Sequence, residues 1–263
     1  MRTTYREKTY TCGDYKEVYI YPCFSTTPKK GQRAPKAKPT REAQKKLNKR
    51  ISENKLIRLL NANFTADDLS FDLTYTEANH PESDEQAEKD VANFLRRLRR
   101  LRKRLNLPEL KYIQVTAKGS KKGRYHHHLV INGGLTIQQL AKLWALGYTK
   151  AAPLQFDETG LIAKGKYLVK QALGFRSFNA SRNLVHPQPT HRDGRLSQRR
   201  MYELSQALDD RAAYAQLYQG YILADAHSFY NEDNGGFYIC ARLYRQDATF
   251  NGTIKKRRPP CKK

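Results

Sequence analysis

The segment that most constrains the fold is a short run in which apolar and polar residues alternate strictly. Residues 69–75 read LSFDLTY, so every second residue is apolar. Because strand side chains point to opposite faces in turn, this run predicts a strand with one apolar face and one polar face that carries Asp72. The backbone groups of such a strand need partners, so the chain has to build a sheet around it.

Helices and strands follow this segment in a regular order. Ser83 and Gln86 have capping-box spacing ahead of apolar residues at helical intervals, which predicts a long helix that ends before Pro108. The further predictions, in chain order, are strands over 111–117 and 125–131, a short helix capped by Thr136, a strand near 151–156 and a helix over 158–173. The order β-α-β-β-α-β-α predicts the α+β class, a central antiparallel sheet with helices packed on one face.

The flanks of this region have patterns of their own. Alternation near the N-terminus predicts strands, and residues 41–61 predict a helix. Residues 196–216 predict one further helix, and the Tyr- and Phe-rich stretch after it predicts late strands. We therefore divide the chain into N-terminal strands and a basic helix (1–62), a core (63–190), a C-terminal helix with aromatic strands (191–253) and a disordered basic tail (254–263).

The charge of the chain points to a polyanionic partner. Lys and Arg number 49 against 25 Asp and Glu, a net charge of +24. Such an excess repels itself in a compact protein, so nucleic acid is the favoured partner over anionic lipid or a merely basic surface. Seven of the nine residues from Arg96 to Arg104 are basic. This run, with Arg99 and Arg100, predicts either phosphate contact or a solvated outer helix face.

Other classes of protein are disfavoured by composition. The four cysteines lie far apart and form no CxxC pair, so they indicate reduced thiols and no zinc ribbon. No stretch has the length and hydropathy of a membrane span, and no signal peptide is recognisable at the N-terminus. We expect a soluble cytoplasmic protein without a membrane partner.

Three consecutive histidines lie in the strand predicted over 125–131. His126 and His128 share one face of that strand, whereas His127 takes the other. Two imidazoles at positions i and i+2 can bind one divalent ion, with neighbouring groups fixing their tautomers. The alternative is a chance histidine cluster at the end of a strand.

Tyr167 is the candidate nucleophile among 17 tyrosines. Lys170 lies three residues later on the same helix face, where a cation would lower the pKa of the phenol or neutralise phosphate charge. The adjoining segment Gly160–Lys166 matches the GxxxxGK pattern of a nucleotide-binding loop. Position 167 is Tyr where such a loop needs Ser or Thr, so nucleotide hydrolysis is disfavoured.

Three segments together resemble a known superfamily. LSFDLTY (69–75), RYHHHLVING (124–133) and KYLVK (166–170) are similar to motifs I, II and III of the HUH endonucleases. Within that superfamily they resemble most the single-tyrosine rolling-circle replication initiators of single-stranded DNA phages and small plasmids. The resemblance covers about residues 65–185 and implies an RRM-like, ferredoxin-like core with N- and C-terminal extensions.

The resemblance implies a DNA-nicking reaction. His126 and His128 would bind Mg²⁺ or Mn²⁺, and Tyr167, assisted by Lys170, would attack single-stranded DNA at an origin hairpin. The products would be a 5′-phosphotyrosine and a free 3′-OH, and the strands would later be rejoined. The protein would work in a bacterial host with a host helicase or polymerase. The expected DNA contacts are Lys121, Lys122, Arg124, Arg99 and Arg100.

One position departs from the pattern of these initiators. They usually supply an acidic third metal ligand from the preceding strand, where this chain has Ala117. Asp72 or Gln114 is then the candidate third ligand, or the protein is a catalytically impaired single-stranded DNA-binding protein of the same fold. A third hypothesis is an RNA-binding protein that stacks bases on its aromatic late strands.

Overall fold

The computed structural model describes residues 4–23, 41–119, 123–157, 159–173, 177–232 and 235–246. The chain divides into two compact units, which we treat separately. The terminal unit comprises Met1–Leu47, Glu158–Gly160 and His186–Thr249, and the central unit comprises Asn48–Asp157, Leu161–Val185 and Phe250–Lys263. The predicted tail over 254–263 lies outside the described residues.

The central unit is built on a five-stranded antiparallel sheet. Its strands are β3 (Leu69–Thr74), β4 (Tyr112–Lys118), β5 (Tyr125–Ile131), β6 (Thr149–Pro153) and β7 (Asn179–Ala180). They lie side by side in the order β6-β3-β5-β4-β7, so β5 is the middle strand, between β3 and β4. Its helices are α1 (Arg41–Asn63), α2 (Asp84–Arg104), α3 (Ile137–Leu143) and α4 (Ile162–Gln171). The predicted order of elements is confirmed.

The predicted helix starts follow from local capping. The Ser83 side chain accepts a hydrogen bond from the backbone N–H of Gln86 and begins α2. Thr136 and Gln139 form a complete capping box at the start of α3. Both caps are set by residues three apart in sequence, which is why the pattern alone located them.

Hydrophobic clusters cover both faces of this sheet. Phe71 and Leu129 pack in a cluster with Phe94 and Leu98 of α2. On the other face, Val115 and Val130 pack with helices α1 and α4. The α+β class is therefore confirmed, and the helices that we expected on one face lie on both, because β4 and β5 carry apolar residues on each side.

A glycine sets the close approach of α4 to α1. A Cβ placed on Gly165 would lie 2.5 Å from Cγ1 of Ile57, which is closer than atoms can pack. The segment that resembles a nucleotide-binding loop is thus largely helical, and its second glycine serves helix packing.

The terminal unit joins strands from both ends of the chain. Its sheet has the order β8-β1-β2-β10-β9. The strands are β1 (Thr4–Cys12), β2 (Tyr15–Cys23), β8 (Thr190–Asp193), β9 (Tyr221–Asn231) and β10 (Gly236–Arg245). Ile20 of β2 pairs with Ile239 of β10, so the N-terminal and late aromatic strands, which we had placed in separate segments, form one antiparallel sheet.

Two helices lie in this unit where one was predicted. They are α5 (Gln198–Gln206) and α6 (Arg211–Leu217). The single helix predicted over 196–216 is wrong because Asp210 caps a new helix, its carboxylate accepting hydrogen bonds from the backbone N–H groups of Ala212 and Ala213. Cys12, Cys23 and Cys240 are free thiols. Among the described helices, none is both long and apolar enough to cross a membrane.

Candidate active site

The histidine pair lies on the middle strand of the central sheet. His126 and His128 share the face of β5 on which Val130 packs against α1 and α4. Their ring centroids are 4.9 Å apart and their planes nearly perpendicular. His128 is buried and His126 is half-buried. Burial lowers the pKa of His126, so its imidazole is neutral at neutral pH, the form that binds metals.

Asp72 orients one ring of the pair. It lies directly across from His128 in the register of β3 and β5, and its Oδ1 is 2.7 Å from Nδ1 of His128. Burial acts to raise the pKa of Asp72, but His128, Lys164 and His126 together lower it. The carboxylate therefore holds the Nδ1–H tautomer and leaves the Nε2 lone pair of His128 free.

His126 has a comparable arrangement. Its Nδ1 lies 3.4 Å from the backbone oxygen of Arg124, which accepts the proton in the Nδ1–H tautomer. Both rings thus have Nδ1 occupied by an acceptor, and each presents Nε2 as the nitrogen available to a ligand. This is the tautomer that metal-binding histidines adopt when a second partner fixes them.

Tyr167 of α4 meets the histidine pair. Its hydroxyl is 3.4 Å from Nε2 of His128, and the two ring centroids are 5.3 Å apart. The side chain is 44% exposed, so a long polymer can reach it. Burial and the charge of Asp72 raise the pKa of Tyr167. Our expectation of a phenol pKa lowered by a neighbouring cation is wrong, since the carboxylate acts on the phenol more than any lysine does.

The cation nearest the phenol ring is not the one that the sequence singled out. Nζ of Lys164 lies 5.7 Å from the centre of the Tyr167 ring and donates a 2.6 Å hydrogen bond to Oγ of Ser70. Burial lowers the pKa of Lys164, and Asp72 opposes that change. Lys170 is exposed, and no contact of it with Tyr167 is found in the described part of the chain. Lys164 lies at position i−3 from Tyr167, so the same spacing rule would have found it.

The third-ligand position is occupied by alanine. Ala117 pairs directly with His126 across β4 and β5 and is fully buried. Gln114 is not available to the pair, because it points to the opposite face, where its amide donates to Oγ1 of Thr116 at 2.6 Å. Among the described residues, no group of three His, Cys, Asp or Glu side chains is arranged to hold a metal ion.

The donor set therefore fits a metal only in part. Two imidazole nitrogens with fixed tautomers form half of a site, and Asp72 is occupied with orienting His128. A hard ion such as Mg²⁺ or Mn²⁺ also takes oxygen ligands, which water and a DNA phosphate can supply. His126 and His128 are the residues that would hold it.

His127 faces the other side of the sheet and has a structural environment. Its Nε2 lies 2.8 Å from the hydroxyl of Tyr75, and its Nδ1 lies 3.0 Å from Oγ1 of Thr116. Thr116 in turn donates to Glu88 at 2.7 Å. Burial lowers the pKa of His127 to about 3, so the ring is neutral. It is a satisfied core histidine.

The candidate DNA contacts are spread over the central unit. Arg99 and Arg100 are exposed on α2, which packs on the face opposite to Tyr167, and Arg99 lies over the ring of Tyr112. The structure therefore does not bring them to the histidine pair. Arg124 lies beside the pair and pairs with Glu77 at 3.1 Å. Lys121 and Lys122 lie outside the described residues.

One arginine of the basic run has a structural role. Arg102 is 2% exposed and donates hydrogen bonds to the backbone oxygens of Pro108, Asn132 and Gly133. Burial lowers its pKa. This guanidinium ties the end of α2 to the turn after β5 and is unavailable to DNA, whereas Arg99 and Arg100 stay exposed.

The fold and the site describe an α+β protein with a tyrosine beside a pair of histidines. Residues 69–172 match the family described as Replication-associated protein ORF2/gene II protein. The match covers less than half of the chain, but it includes Asp72, both histidines of the pair, Lys164 and Tyr167. It supports a replication-associated, Rep-like protein that interacts with DNA. No curated protein and no solved structure matches the chain.

Proposed function

We propose that this protein initiates rolling-circle DNA replication by nicking single-stranded DNA through Tyr167. One observation carries the proposal: the hydroxyl of a half-exposed tyrosine lies 3.4 Å from Nε2 of His128, beside a second histidine. A nucleophile and a pair of metal-binding side chains thus meet at one point of the sheet, inside the region that matches a replication-associated family.

The reaction is a transesterification. The oxygen of Tyr167 attacks the phosphorus, the bond from phosphorus to the 3′ oxygen breaks, and the 3′ oxygen leaves as a free hydroxyl. One phosphodiester replaces another, so the energy of the bond is kept for rejoining. Since the pKa of Tyr167 is raised, the phenol is protonated at neutral pH and releases its proton to solvent as it attacks. The leaving 3′ oxygen takes up a proton from solvent.

The neighbouring side chains prepare this step. Asp72 holds His128 in one tautomer, and Lys164 places a positive charge near the phenol ring, where negative charge develops. A divalent ion of the Mg²⁺ or Mn²⁺ class held by His126 and His128 would polarise the scissile phosphate. Lys170, exposed one turn further along α4, is placed to contact the DNA backbone.

A single-stranded DNA oligonucleotide with a hairpin, labelled at its 3′ end, tests the proposal in the presence of Mn²⁺. The labelled fragment should become covalently attached to the wild-type protein on a denaturing gel, and a 5′ label should remain on the released fragment. Tyr167→Phe should form no adduct. Tyr148→Phe, which removes a hydroxyl from a 72% exposed tyrosine of the same unit, should react like wild type. An adduct that persists in Tyr167→Phe contradicts the proposal.

Ala117 favours a second candidate function, a single-stranded DNA-binding protein without catalysis. The alanine adjoins His126 at the place where an acid would complete a metal site. In that case wild type and Tyr167→Phe bind DNA equally and neither forms an adduct. Ala117→Glu should then create adduct formation that depends on Tyr167. Ala117→Gln, of the same size without charge, should not.

A further inference from the structure

The terminal unit contains a polar pocket that the nicking reaction does not use. It has a volume of about 410 Å³, within the range of small-molecule sites. It lies outside the region that matches the replication-associated family. Hydroxyl and cationic side chains line it, among them Lys16, Arg192 and three threonines.

The pocket has a surplus of positive charge. Its acid, Glu7, is buried and already neutralised by Arg195, whose Nη1 lies 3.0 Å from Oε2 of Glu7. In the described part of the chain, neither Lys16 nor Arg192 has a carboxylate within 4.0 Å. Two cations therefore remain without an acidic partner, and the field that they create in a concave site favours an anion there.

The sheet places hydroxyl donors beside these cations. Thr9 pairs with Thr190 in the register of β1 and β8, and Thr11 pairs with Lys16 in the register of β1 and β2. Arg192 pairs with Glu7 on the same strands. The three threonines and two cations thus alternate over three neighbouring strands. Lysine, arginine and threonine side chains are among those that contact phosphate oxygens in nucleic-acid complexes.

We infer that this pocket binds a phosphodiester of single-stranded DNA, as an anchoring site separate from the nicking site. Lys16 is held for this role by the ring of Tyr221, with its Nζ 3.7 Å from the ring centre. The inference deepens the proposed function and rests on its DNA substrate. It requires no catalysis, so binding measured in Tyr167→Phe tests it independently of nicking.

The test measures the affinity of Tyr167→Phe for a fluorescent, unstructured oligonucleotide over a range of salt concentrations. Adding Lys16→Gln with Arg192→Gln should weaken binding on the order of tenfold and lower the salt slope by about 1.4, since each cation accounts for about 0.7 on a single strand. The matched control is Lys89→Gln with Lys142→Gln, which removes two exposed charges from the central unit. The control should lose much less affinity.

Equal losses in the two double variants would overturn the inference, as would unchanged binding in the pocket variant. Lys16→Arg with Arg192→Lys should retain the affinity, which separates charge from folding, and thermal unfolding checks that all variants fold. Titration with inorganic phosphate separates a free anion from a strand. If phosphate binds the pocket but the pocket variant binds DNA normally, the assignment to a DNA strand is wrong.

Discussion

His127 lies on one face of β5 with partners that are themselves buried, whereas His126 and His128 lie on the other face beside an exposed tyrosine. Tyr75 and Thr116, the partners of His127, are 5% and 9% exposed. Tyr167, the partner of His128 Nε2, is 44% exposed. Three adjacent residues of one type therefore divide into a structural histidine and a candidate catalytic pair.

This difference shows how to distinguish the two kinds of histidine. All three rings are partly or fully removed from water, so burial alone does not separate them. What separates them is the second nitrogen. In His127 that nitrogen is bonded inside the core, and in His128 it faces a hydroxyl that substrate can reach. The comparison yields four predictions, given from the largest expected effect to the smallest.

Exchanging the histidines should separate activity from stability. His128→Ala should lower adduct formation on the order of a thousandfold, because it removes a side chain that contacts the nucleophile. His127→Ala should lower the free energy of unfolding by about 2 kcal/mol, because it leaves two buried polar groups unpaired. Gel assays of the adduct and urea unfolding measure both quantities. If His127→Ala lost activity in the folded protein as severely as His128→Ala, the two faces would not differ in function.

Removing the charge of Asp72 should weaken the site without dismantling it. Asp72→Asn should reduce adduct formation and Mn²⁺ affinity about 10- to 100-fold, because the carboxylate fixes the tautomer of His128. The thermal shift caused by Mn²⁺ provides a readout that does not depend on activity. The control Asp67→Asn removes an exposed carboxylate of the same unit and should change neither. An unaltered Mn²⁺ shift in Asp72→Asn would exclude this orienting role.

The two lysines of α4 should differ in the same direction as their distances from the ring. Lys164→Gln should lower the rate of adduct formation about tenfold, because its charge lies beside the phenol. Lys170→Gln should have a smaller effect on that rate, mainly through DNA affinity. Single-turnover rates at saturating DNA separate the two contributions. The reverse order would identify Lys170 as the cation that acts on the phenol.

The buried histidine should make stability depend on pH. The pKa of His127 is about 3 in the folded protein, below the ordinary value of about 6.5 in the unfolded chain. The unfolded chain thus binds the proton first, so stability is fully present above pH 6.5 and falls by about 1 kcal/mol per pH unit as the pH drops towards 4. His127→Gln should flatten this slope in urea unfolding between pH 4 and 6.5. A slope equal to that of wild type would assign the pH dependence to other groups.

Much of the central unit could be predicted from local patterns. The alternation of residues 69–75, the Ser83 cap and the spacing of His126 and His128 each depend on residues a few positions apart, and the structure agrees with all three. The break between α5 and α6 was missed because a single capping residue, Asp210, overrides an otherwise continuous helical pattern.

Contacts between distant segments could not be predicted in this way. Asp72 and His128 are 56 residues apart, and Tyr167 and His128 are 39 apart. The pattern showed that Asp72 lies on the polar face of its strand, but not that the register of β3 and β5 sets it against His128. It likewise could not show that Lys164, and not Lys170, lies nearest the phenol ring.

The sequence by itself determined the order of strands and helices, the separation of His127 from its two neighbours, and the basic character of the chain. Only the tertiary structure decided which elements cover each face of β5, that Asp72 orients a ligand, and that strands from both ends of the chain share a sheet. The physical reason is that periodicity assigns a side chain to one face of its own element. Which neighbour that face meets depends on strand register and helix packing over the whole unit.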